Sequence, residues 1–322
     1  MIISRTPLRV SFVGGGTDLP CFCENERGAV VSTAIKKYIY IIVHNSFENN
    51  ILLSYSKTEI VDHSDSIQNT RIREAMKMAG VSCGVEIHSI AEVPAGTGLG
   101  SSSSFTVGLL NALYAYRGMH VSAERLAKEA AKIEIEILKE KIGRQDQYAA
   151  AFGGLNKIEF INERVRISPI SFKKEKKKEL ENKLMLFYLG DQRDAAKILE
   201  TQGKNLEENP NISNAYIKMR DLADELEVNL YNDFDKFGEI LNKNWMLKQG
   251  LSSGISNEKI VKYYNIATNA GAKGGKLLGA GGGGFLLFYV EADDQERVRN
   301  ALIGLKELEL EFDTEGSRII HS

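Results

Sequence analysis

A glycine- and serine-rich segment, residues 94–104, has the composition of a phosphate-binding loop. It follows an apolar run with strand character, residues 85–90, and precedes a long apolar run, residues 105–116, that we expect to be helical. Free backbone N–H groups and aligned peptide dipoles at the start of a helix attract anions, above all phosphate. Glycines let the backbone approach a ligand, and serine hydroxyls can cap the helix, bind phosphate or reach a magnesium ion. The segment therefore predicts a phosphate site.

The common nucleotide-binding motifs do not account for this segment. The pattern G-x-x-x-x-G-K-[ST] is absent, since Gly275-Lys276 is followed by a leucine. The glycines of residues 94–104 have the wrong spacing for G-x-G-x-x-G, and the protein-kinase signatures H-R-D and D-F-G do not occur. The sequence therefore predicts a phosphate loop of another kind.

The elements that must position this loop belong to an ordinary globular chain of 322 residues, long enough for two domains or one large one. Its 41 Lys and Arg residues against 43 Asp and Glu give a net charge of −2, which indicates neither a nucleic-acid nor a membrane partner. No apolar run approaches the roughly 20 residues of a transmembrane helix. Three cysteines fit a reducing compartment, so we expect a cytoplasmic protein. The five histidines are interpreted as structural.

Apolar periodicity predicts strands and helices in an order typical of an α+β protein. Predicted strands are 2–13, 38–45, 85–90, 156–160, 164–168, 184–189, 272–278, 285–290 and a last one near 309–312. Predicted helices are 71–79, 102–117, 123–139, 195–206, 212–226, 234–247, 258–269 and 294–305. A lysine- and glutamate-rich run at 173–181 reads as a solvated face, and we place a domain boundary there, between 1–175 and 176–322.

Three more motifs accompany the phosphate loop in a fixed order along the chain. They are Gly14-Gly-Gly-Thr-Asp-Leu-Pro20 within 5–20, Gly143-Arg-Gln-Asp-Gln-Tyr148, and Gly279-Ala-Gly-Gly-Gly-Gly284. With Pro94-Ala-Gly-Thr-Gly-Leu-Gly-Ser-Ser102 they resemble the signature of the GHMP kinase superfamily, which includes galactokinase, homoserine kinase, mevalonate kinase and phosphomevalonate kinase. The resemblance implies ATP and Mg²⁺ as cofactors and a two-domain fold. An N-terminal mixed α/β nucleotide-binding domain would precede a C-terminal ferredoxin-like α+β domain.

Within that superfamily the motifs are most similar to those of the D-glycero-D-manno-heptose 7-phosphate kinases. Galactokinases carry a glutamate and a histidine where this chain has Gly15 and Gly16, which argues against galactose. The resemblance implies phosphorylation of the anomeric hydroxyl of the heptose 7-phosphate to the 1,7-bisphosphate, toward GDP-heptose for surface polysaccharide. A fucokinase-like kinase of a free sugar, a diphosphomevalonate decarboxylase and a non-catalytic sugar and ATP sensor stay open as alternatives.

The catalytic residues implied by the resemblance are Asp146 and Arg9. A carboxylate can accept the proton of the attacking hydroxyl, and a cation beside it can steady the transferred charge. The implied ATP-binding residues all belong to the phosphate loop: Pro94, Gly96, Gly98, Leu99, Gly100, Ser101, Ser102 and Ser103.

The implied magnesium ligands are the hydroxyl of Ser102 and the carboxylate of Glu134. Ser101 and Ser103 compete with Ser102, because a run of four serines leaves the alignment uncertain by one residue. Glu136 competes with Glu134, but two residues apart on a helix they face different directions. A surface glutamate is the alternative interpretation of Glu134.

The implied substrate-binding residues are Gly15, Gly16, Thr17, Asp18, Arg193, Gly281 and Gly282. Short polar side chains such as Thr17 and Asp18 orient sugar hydroxyls, although the same pair could cap a helix. Arg193 would meet the 7-phosphate, because guanidinium binds phosphate through two hydrogen bonds. The partner is thus a small sugar phosphate, and nothing in the sequence predicts the oligomeric state.

Overall fold

The computed structural model describes residues 1–190, 195–232 and 234–322. The strands are β1 Ile2–Val13, β2 Gly28–Asn45, β3 Ile51–Ser54, β4 Thr58–Val61, β5 Val85–Ala91, β6 Leu155–Ile161, β7 Arg164–Pro169, β8 Leu184–Tyr188, β9 Gly274–Leu277, β10 Phe285–Tyr289, β11 Lys306–Leu308 and β12 Arg318–His321. The α-helices are α1 Pro20–Cys23, α2 Thr70–Ala79, α3 Ser101–Tyr116, α4 Ala123–Ala131, α5 Gln145–Phe152, α6 Lys174–Asn182, α7 Ala195–Glu208, α8 Pro210–Asn232, α9 Phe237–Gln249, α10 Glu258–Asn269 and α11 Ala292–Ala301. Within these ranges, no helix combines the length and apolar character needed to span a bilayer.

The larger sheet is organised around the 18-residue strand β2. Its first half pairs with β6 and its second half with β5, while β1 runs antiparallel to it along the other side. The main path of the sheet is β12-β1-β2-β5-β3-β4, with the β6–β7 hairpin beside it. The first eight residues of β2 are all buried, because this half of the strand is covered on both faces. β5 ends at Ala91, opposite Ile39 of β2, and the glycine segment that follows it reaches β1 at Arg9, whose N–H donates to the carbonyl oxygen of Leu99.

The smaller sheet has the order β11-β8-β10-β9, and every pair in it is antiparallel. Helices α9 and α10 pack close to β9, and α9 also contacts β1 of the larger sheet. Phe12 of β1 lies at this junction, edge-on to Phe237 of α9 with ring centroids 5.2 Å apart. Strands, helices and two sheets confirm the predicted α+β class.

The chain returns to the larger sheet after the smaller one is complete. β12 pairs antiparallel with β1, opposite the strand's first residues, from Ile3 to Arg5. The domain boundary near residue 175 stays a prediction. The structure also shows that the end of the described chain, from Glu311 onward, contacts strands β1 and β2 of the larger sheet.

The sequence prediction was wrong for the segment around Leu310. A strand was predicted near 309–312, but β11 ends at Leu308 and Phe312 makes only an isolated bridge, to Ile35. The backbone N–H of Phe312 donates instead to the buried carboxylate of Glu181, at 2.7 Å. Leu310 and Phe312 are buried by tertiary packing without a strand ladder, which alternation alone cannot distinguish from a strand.

The predicted helix over 123–139 is also interrupted. α4 ends at Ala131 and continues as a π-helical turn, Lys132–Ile137. The extra residue in each turn of a π-helix rotates the side chains that follow, and such turns are common at functional sites. Glu134 lies in this turn and points inward, fully buried.

Candidate active site

A cleft of about 380 Å³ lies where the loop before α3, the loop after β1, the start of α5 and the loop between β9 and β10 meet. Its lining combines glycines with charged and polar side chains. The lining residues are Arg9, Gly16, Asp18, Leu19, Arg71, Gly96, Gly98, Gly100, Ser101, Ser102, Ser103, Glu140, Ile142, Gly143, Gln145, Asp146, Leu199, Lys248, Leu278, Gly279, Ala280, Gly281 and Gly283. The four motifs predicted from the sequence therefore surround one space.

The phosphate loop reaches the cleft through glycines with left-handed backbone. Gly96, Gly98 and Gly100 have φ values of 74°, 86° and 74°, and Gly100 directly precedes the first residue of α3. Leu99 is buried and its carbonyl oxygen accepts from the N–H of Arg9, at 3.0 Å. The carbonyl oxygen of Pro94 accepts from Thr97 Oγ1 at 3.0 Å. Pro94 and Leu99 thus shape the loop, and the glycines leave its backbone open to a ligand.

The phosphate loop and the glycine loop after β9 touch backbone to backbone. A Cβ placed on Gly98 would lie 2.4 Å from the carbonyl oxygen of Leu278, and one on Gly279 would lie 2.6 Å from Gly98 Cα. A Cβ on Gly284 would lie 2.3 Å from the carbonyl oxygen of Thr97. Any side chain here would separate the two loops, so glycine is required on both sides of the contact.

Arg9 and Asp146 form a bidentate ion pair inside the cleft. Arg9 Nε donates to Asp146 Oδ1 at 2.7 Å, and the Arg9 Nη2 donates to Oδ2 at 2.8 Å. Nη1 donates to the carbonyl oxygen of Gly98 at 2.6 Å. The Arg9 side chain is 5% exposed and that of Asp146 is 23% exposed, so the carboxylate is the partner that faces the cleft. The predicted catalytic residues are therefore in contact, with their orientation fixed by α5 and β1.

The serines at the start of α3 differ in what their hydroxyls bind. Ser103 Oγ donates to Glu134 Oε2 at 2.8 Å, whereas Ser102 is exposed and lines the cleft. Glu134 also accepts from Thr106 Oγ1 at 2.6 Å and from Gln147 Nε2 at 2.5 Å. Burial raises the pKa of the Glu134 carboxyl above its ordinary value. Among the two predicted metal ligands, Ser102 faces the cleft and Glu134 lies behind Ser103.

Asp18, in the loop after β1, and Gln145, at the start of α5, form a polar end of the cleft. The carboxylate of Asp18 accepts from the N–H groups of Gly16 and Gln145, at 2.9 and 3.0 Å, and from Gln145 Nε2 at 3.1 Å. Burial raises the pKa of Asp18 above its ordinary value. Gln145 Oε1 is buried without a hydrogen-bond partner among the described residues. This end of the cleft therefore holds an unused acceptor beside a carboxylate.

The other predicted substrate residues are placed differently. Thr17 is fully buried, and its hydroxyl donates to the carbonyl oxygen of Ala29 and accepts from the Ala29 N–H, both at 3.0 Å. Gly281 lines the cleft, while Gly282 donates its N–H to the carbonyl oxygen of Ile255. Gly15 and Gly16 belong to the loop after β1, and Gly16 lines the cleft. Arg193 lies outside the described residues.

Two buried lysines were not predicted as site residues. Lys248 of α9 lines the cleft, and its Nζ donates to the carbonyl oxygen of Gly15 at 3.2 Å. Burial lowers the pKa of Lys248 to about 8, with Asp18 opposing this shift. Lys276 of β9 donates from Nζ to the carbonyl oxygens of Ser11 and Phe12, at 2.7 and 3.0 Å, and burial lowers its pKa well below the ordinary value.

The sequence offered a partial signal for these lysines. Lys276 precedes two leucines in a predicted strand, where a charged residue can be buried if it has partners. Lys248 lies near the end of an ordinary helix, and nothing in its local sequence separates it from a surface lysine.

Arg71 of α2, another cleft residue, contacts Glu134 Oε1 at 3.5 Å and Glu140 Oε2 at 2.6 Å across long sequence separations.

Comparison with known proteins gives the family. Residues 68–154 match the model for the GHMP kinases N terminal domain, and residues 219–305 match that for the GHMP kinases C terminal. The chain is 32% identical to a D-glycero-alpha-D-manno-heptose 7-phosphate kinase from Campylobacter jejuni, over 94% of this chain and 93% of that protein. The chain belongs to the GHMP kinase family. It is an ATP-dependent small-molecule kinase, and the resemblance found in its motifs is confirmed.

Two further relatives agree with this family and fold. This GHMP kinase is 26% identical to a bifunctional fucokinase/GDP-fucose pyrophosphorylase from Arabidopsis thaliana, over 95% of this chain but only 31% of that longer protein. The crystal structure of a D-glycero-D-manno-heptose 1-phosphate kinase from Bacteriodes thetaiotaomicron superimposes with a TM-score of 0.82 at 25% identity, covering all of both chains. The two-domain GHMP kinase fold predicted from the sequence is therefore confirmed.

Replacing Gly98 with alanine is expected to weaken ATP binding by about tenfold or more. The new Cβ would lie 2.4 Å from the carbonyl oxygen of Leu278 and would push the two glycine loops apart. Titration calorimetry with ATP measures the change. Gly118→Ala is the matched control, because Gly118 also has positive φ but has open space around its Cβ position. Equal ATP affinity in Gly98→Ala and the wild type would show that the contact between the loops does not shape the nucleotide site.

Lys248 is expected to make the stability of this GHMP kinase depend on pH between about 8 and 10.5. The folded state holds the Lys248 proton less tightly than the unfolded chain, so its stability rises with pH across that window and falls as pH drops through about 8. A shift of this size corresponds to about 3 kcal/mol. Urea unfolding of the wild type and Lys248→Met is measured at pH 7.5 and 10.5. Between these two pH values the free energy of unfolding of the wild type should increase relative to that of the variant.

The control for this measurement is Lys243→Met, on the same helix. Lys243 is exposed and pairs with Glu239, at 2.7 Å. A difference between the wild type and Lys248→Met that stays constant with pH would contradict the lowered pKa of Lys248.

Proposed function

We propose that the protein is an ATP- and magnesium-dependent sugar kinase that phosphorylates the anomeric hydroxyl of D-glycero-D-manno-heptose 7-phosphate. The observation that carries the proposal is the Arg9–Asp146 pair, which lies between a glycine loop suited to phosphate and a polar end suited to hydroxyl groups. The choice of sugar is supported by the 32% identity to the heptose 7-phosphate kinase from Campylobacter jejuni over nearly the whole of both chains. The product would be the 1,7-bisphosphate, a precursor of GDP-heptose for surface polysaccharide.

The nucleotide phosphates would bind at the start of α3. Gly96 has no atom within 4 Å of its Cβ position. Gly100 directly precedes α3, and the first N–H groups of that helix lack partners inside the helix. This cradle fits an anion, because helix N-termini and exposed N–H groups favour negative charge.

Side-chain oxygen atoms near this cradle fit a magnesium ion, because magnesium prefers oxygen ligands. The ion would neutralise part of the phosphate charge. Ser102 is our choice for the hydroxyl that faces the ion, because it is exposed in the cleft while Ser103 is bound to Glu134. Glu134 as a direct ligand stays a prediction. In the geometry described it orients Ser103 and the first turn of α3.

Asp146 would act as the proton acceptor for the sugar. As the anomeric oxygen forms its bond to the γ-phosphorus, the bond from that phosphorus to the ADP oxygen breaks, and the hydroxyl proton passes to the carboxylate. Arg9 holds both oxygens of Asp146 at 2.7–2.8 Å, which fixes the direction of their remaining lone pairs. A cation at this position also lowers the energy of negative charge that develops nearby.

Asp18, Gln145 and Lys248 would bind the sugar. Gln145 Oε1 is an unused acceptor, and Nζ of Lys248 makes one hydrogen bond among the described residues, to Gly15. An ammonium group has three donors, so two remain for a ligand in the cleft. Hydroxyl groups and a phosphate satisfy this combination of donors and acceptors, whereas an apolar ligand would leave them unpaired.

The test is ADP release from ATP and Mg²⁺ in the presence of one acceptor at a time. D-glycero-D-manno-heptose 7-phosphate is expected to give turnover well above that of mannose, fucose, galactose and mevalonate. Turnover on fucose or another free sugar would keep the reaction and reject the heptose substrate. ATP binding without turnover on any acceptor would reject the proposal in favour of a binding protein of the same fold.

Asp146→Asn is expected to lower turnover by about a hundredfold or more, because the amide cannot take up the proton. ATP affinity should change little, since Asp146 lies beside the phosphate loop and not in it. Calorimetry gives the affinity, and an unfolding curve checks that Arg9 without its ionic partner has not destabilised the fold. Asp221→Asn, at an exposed site of α8, is the control. Turnover close to the wild type would remove Asp146 from the role of base.

A further inference from the structure

Three side chains that can bind metals lie together on the outer face of the larger sheet, away from the cleft. His44 on β2 is directly opposite Glu86 on β5 in the antiparallel register. His88 follows two residues after Glu86 and therefore points to the same face of β5. None of these three residues lines the cleft.

The two carboxylate-to-imidazole distances within this His44–Glu86–His88 cluster are close to those of a tetrahedral metal site. Glu86 Oε2 lies 3.6 Å from His44 Nε2 and 3.7 Å from His88 Nε2. All three candidate ligand atoms lie within 4.8 Å of one another. Zinc bonds of about 2.0–2.1 Å at tetrahedral angles place neighbouring ligand atoms about 3.3–3.4 Å apart. A shift of a few tenths of an ångström would bring the carboxylate oxygen to that separation from both rings.

The contacts inside the cluster are too long to be hydrogen bonds. The imidazole rings stack with centroids 5.8 Å apart and an angle of 17° between their planes. Within the described residues, the carboxylate of Glu86 accepts no hydrogen bond. The three ligand atoms thus lie close together without hydrogen-bonding one another, and a rotation of one imidazole ring would bring both Nε2 lone pairs to one ion.

A hydrogen bond on the far side of His44 prepares its ring to bind a metal. Nδ1 of His44 lies 3.0 Å from the carbonyl oxygen of Asn45, which can only accept. The ring proton therefore belongs on Nδ1, and the lone pair of Nε2 faces Glu86. Metal-binding histidines commonly have this arrangement, in which the second nitrogen donates to a carbonyl or carboxylate.

We propose that His44, Glu86 and His88 bind one divalent transition-metal ion of the zinc type, with solvent in the fourth position. Two imidazoles and one carboxylate suit zinc, whereas magnesium and calcium prefer oxygen ligands alone. The side chains are 36%, 25% and 33% exposed, so an ion can reach them from solvent. The bound ion would link β2 to β5, the strand that leads into the phosphate loop.

Titration calorimetry with ZnCl₂ on the full-length protein tests this site. One ion is expected to bind, and His44→Ala and His88→Ala should each lower the affinity by about tenfold or more, since each removes a ligand. His63→Ala is the matched control, because His63 is an exposed histidine beside Asp65 and is not part of the cluster. Absence of zinc binding, or equal zinc affinity in the wild type, His44→Ala and His88→Ala, would overturn the proposal.

Two further measurements make the result independent of activity. Co²⁺ in place of Zn²⁺ should give the visible absorption of a tetrahedral site in the wild type and lose it in His88→Ala. Zinc should also raise the melting temperature of the wild type and of His63→Ala but not that of the two ligand variants, because an ion that binds only the folded state stabilises it. Zinc stabilisation that persists in the ligand variants would assign the ion to other residues and reject the cluster.

Discussion

The arrangement of the cleft depends on the hydrogen bonds and the ion pair made by the buried guanidinium of Arg9. A charge almost out of contact with water must have partners, and Arg9 finds them in the carboxylate of Asp146 and the carbonyl oxygen of Gly98. One side chain of β1 thereby ties the start of α5 to the phosphate loop. The phosphate loop and the glycine loop after β9 can then meet backbone to backbone. Both are held against β1, the first through Arg9 and the second through Lys276.

Burying several charges in one cleft costs stability, and the altered titration of its groups reflects that cost. Burial raises the pKa of Asp18 and lowers that of Lys248 to about 8, although the two charges favour each other. Groups held in this way keep hydrogen-bonding capacity that the fold does not use. Unused donors and acceptors in a closed space are what a polar substrate needs, so the same burial that destabilises the free protein favours binding.

The sequence predicted the local features of the site well because they depend on neighbouring residues. The helix after the phosphate loop begins at Ser101, one residue from the prediction, whereas α5, whose first turn carries Asp146, was not predicted as a helix. The first half of β2 was missed, since a strand buried on both faces shows no alternation. Lys248 and Arg71 were missed because their contacts join segments far apart in the chain, which no local pattern encodes. β12 is short and half-exposed, and its pairing with β1 is equally non-local.

The return of the chain to β1 makes the smaller sheet an insertion between two strands of the larger one. Ile3 pairs with His321, so the two ends of the described chain lie side by side. β12 covers the edge of the strand that carries Arg9 and hides backbone groups that could otherwise pair with another molecule. The last few residues of the described chain therefore protect one edge of β1, and a circularly permuted chain joined at this point would keep every strand of the sheet in place.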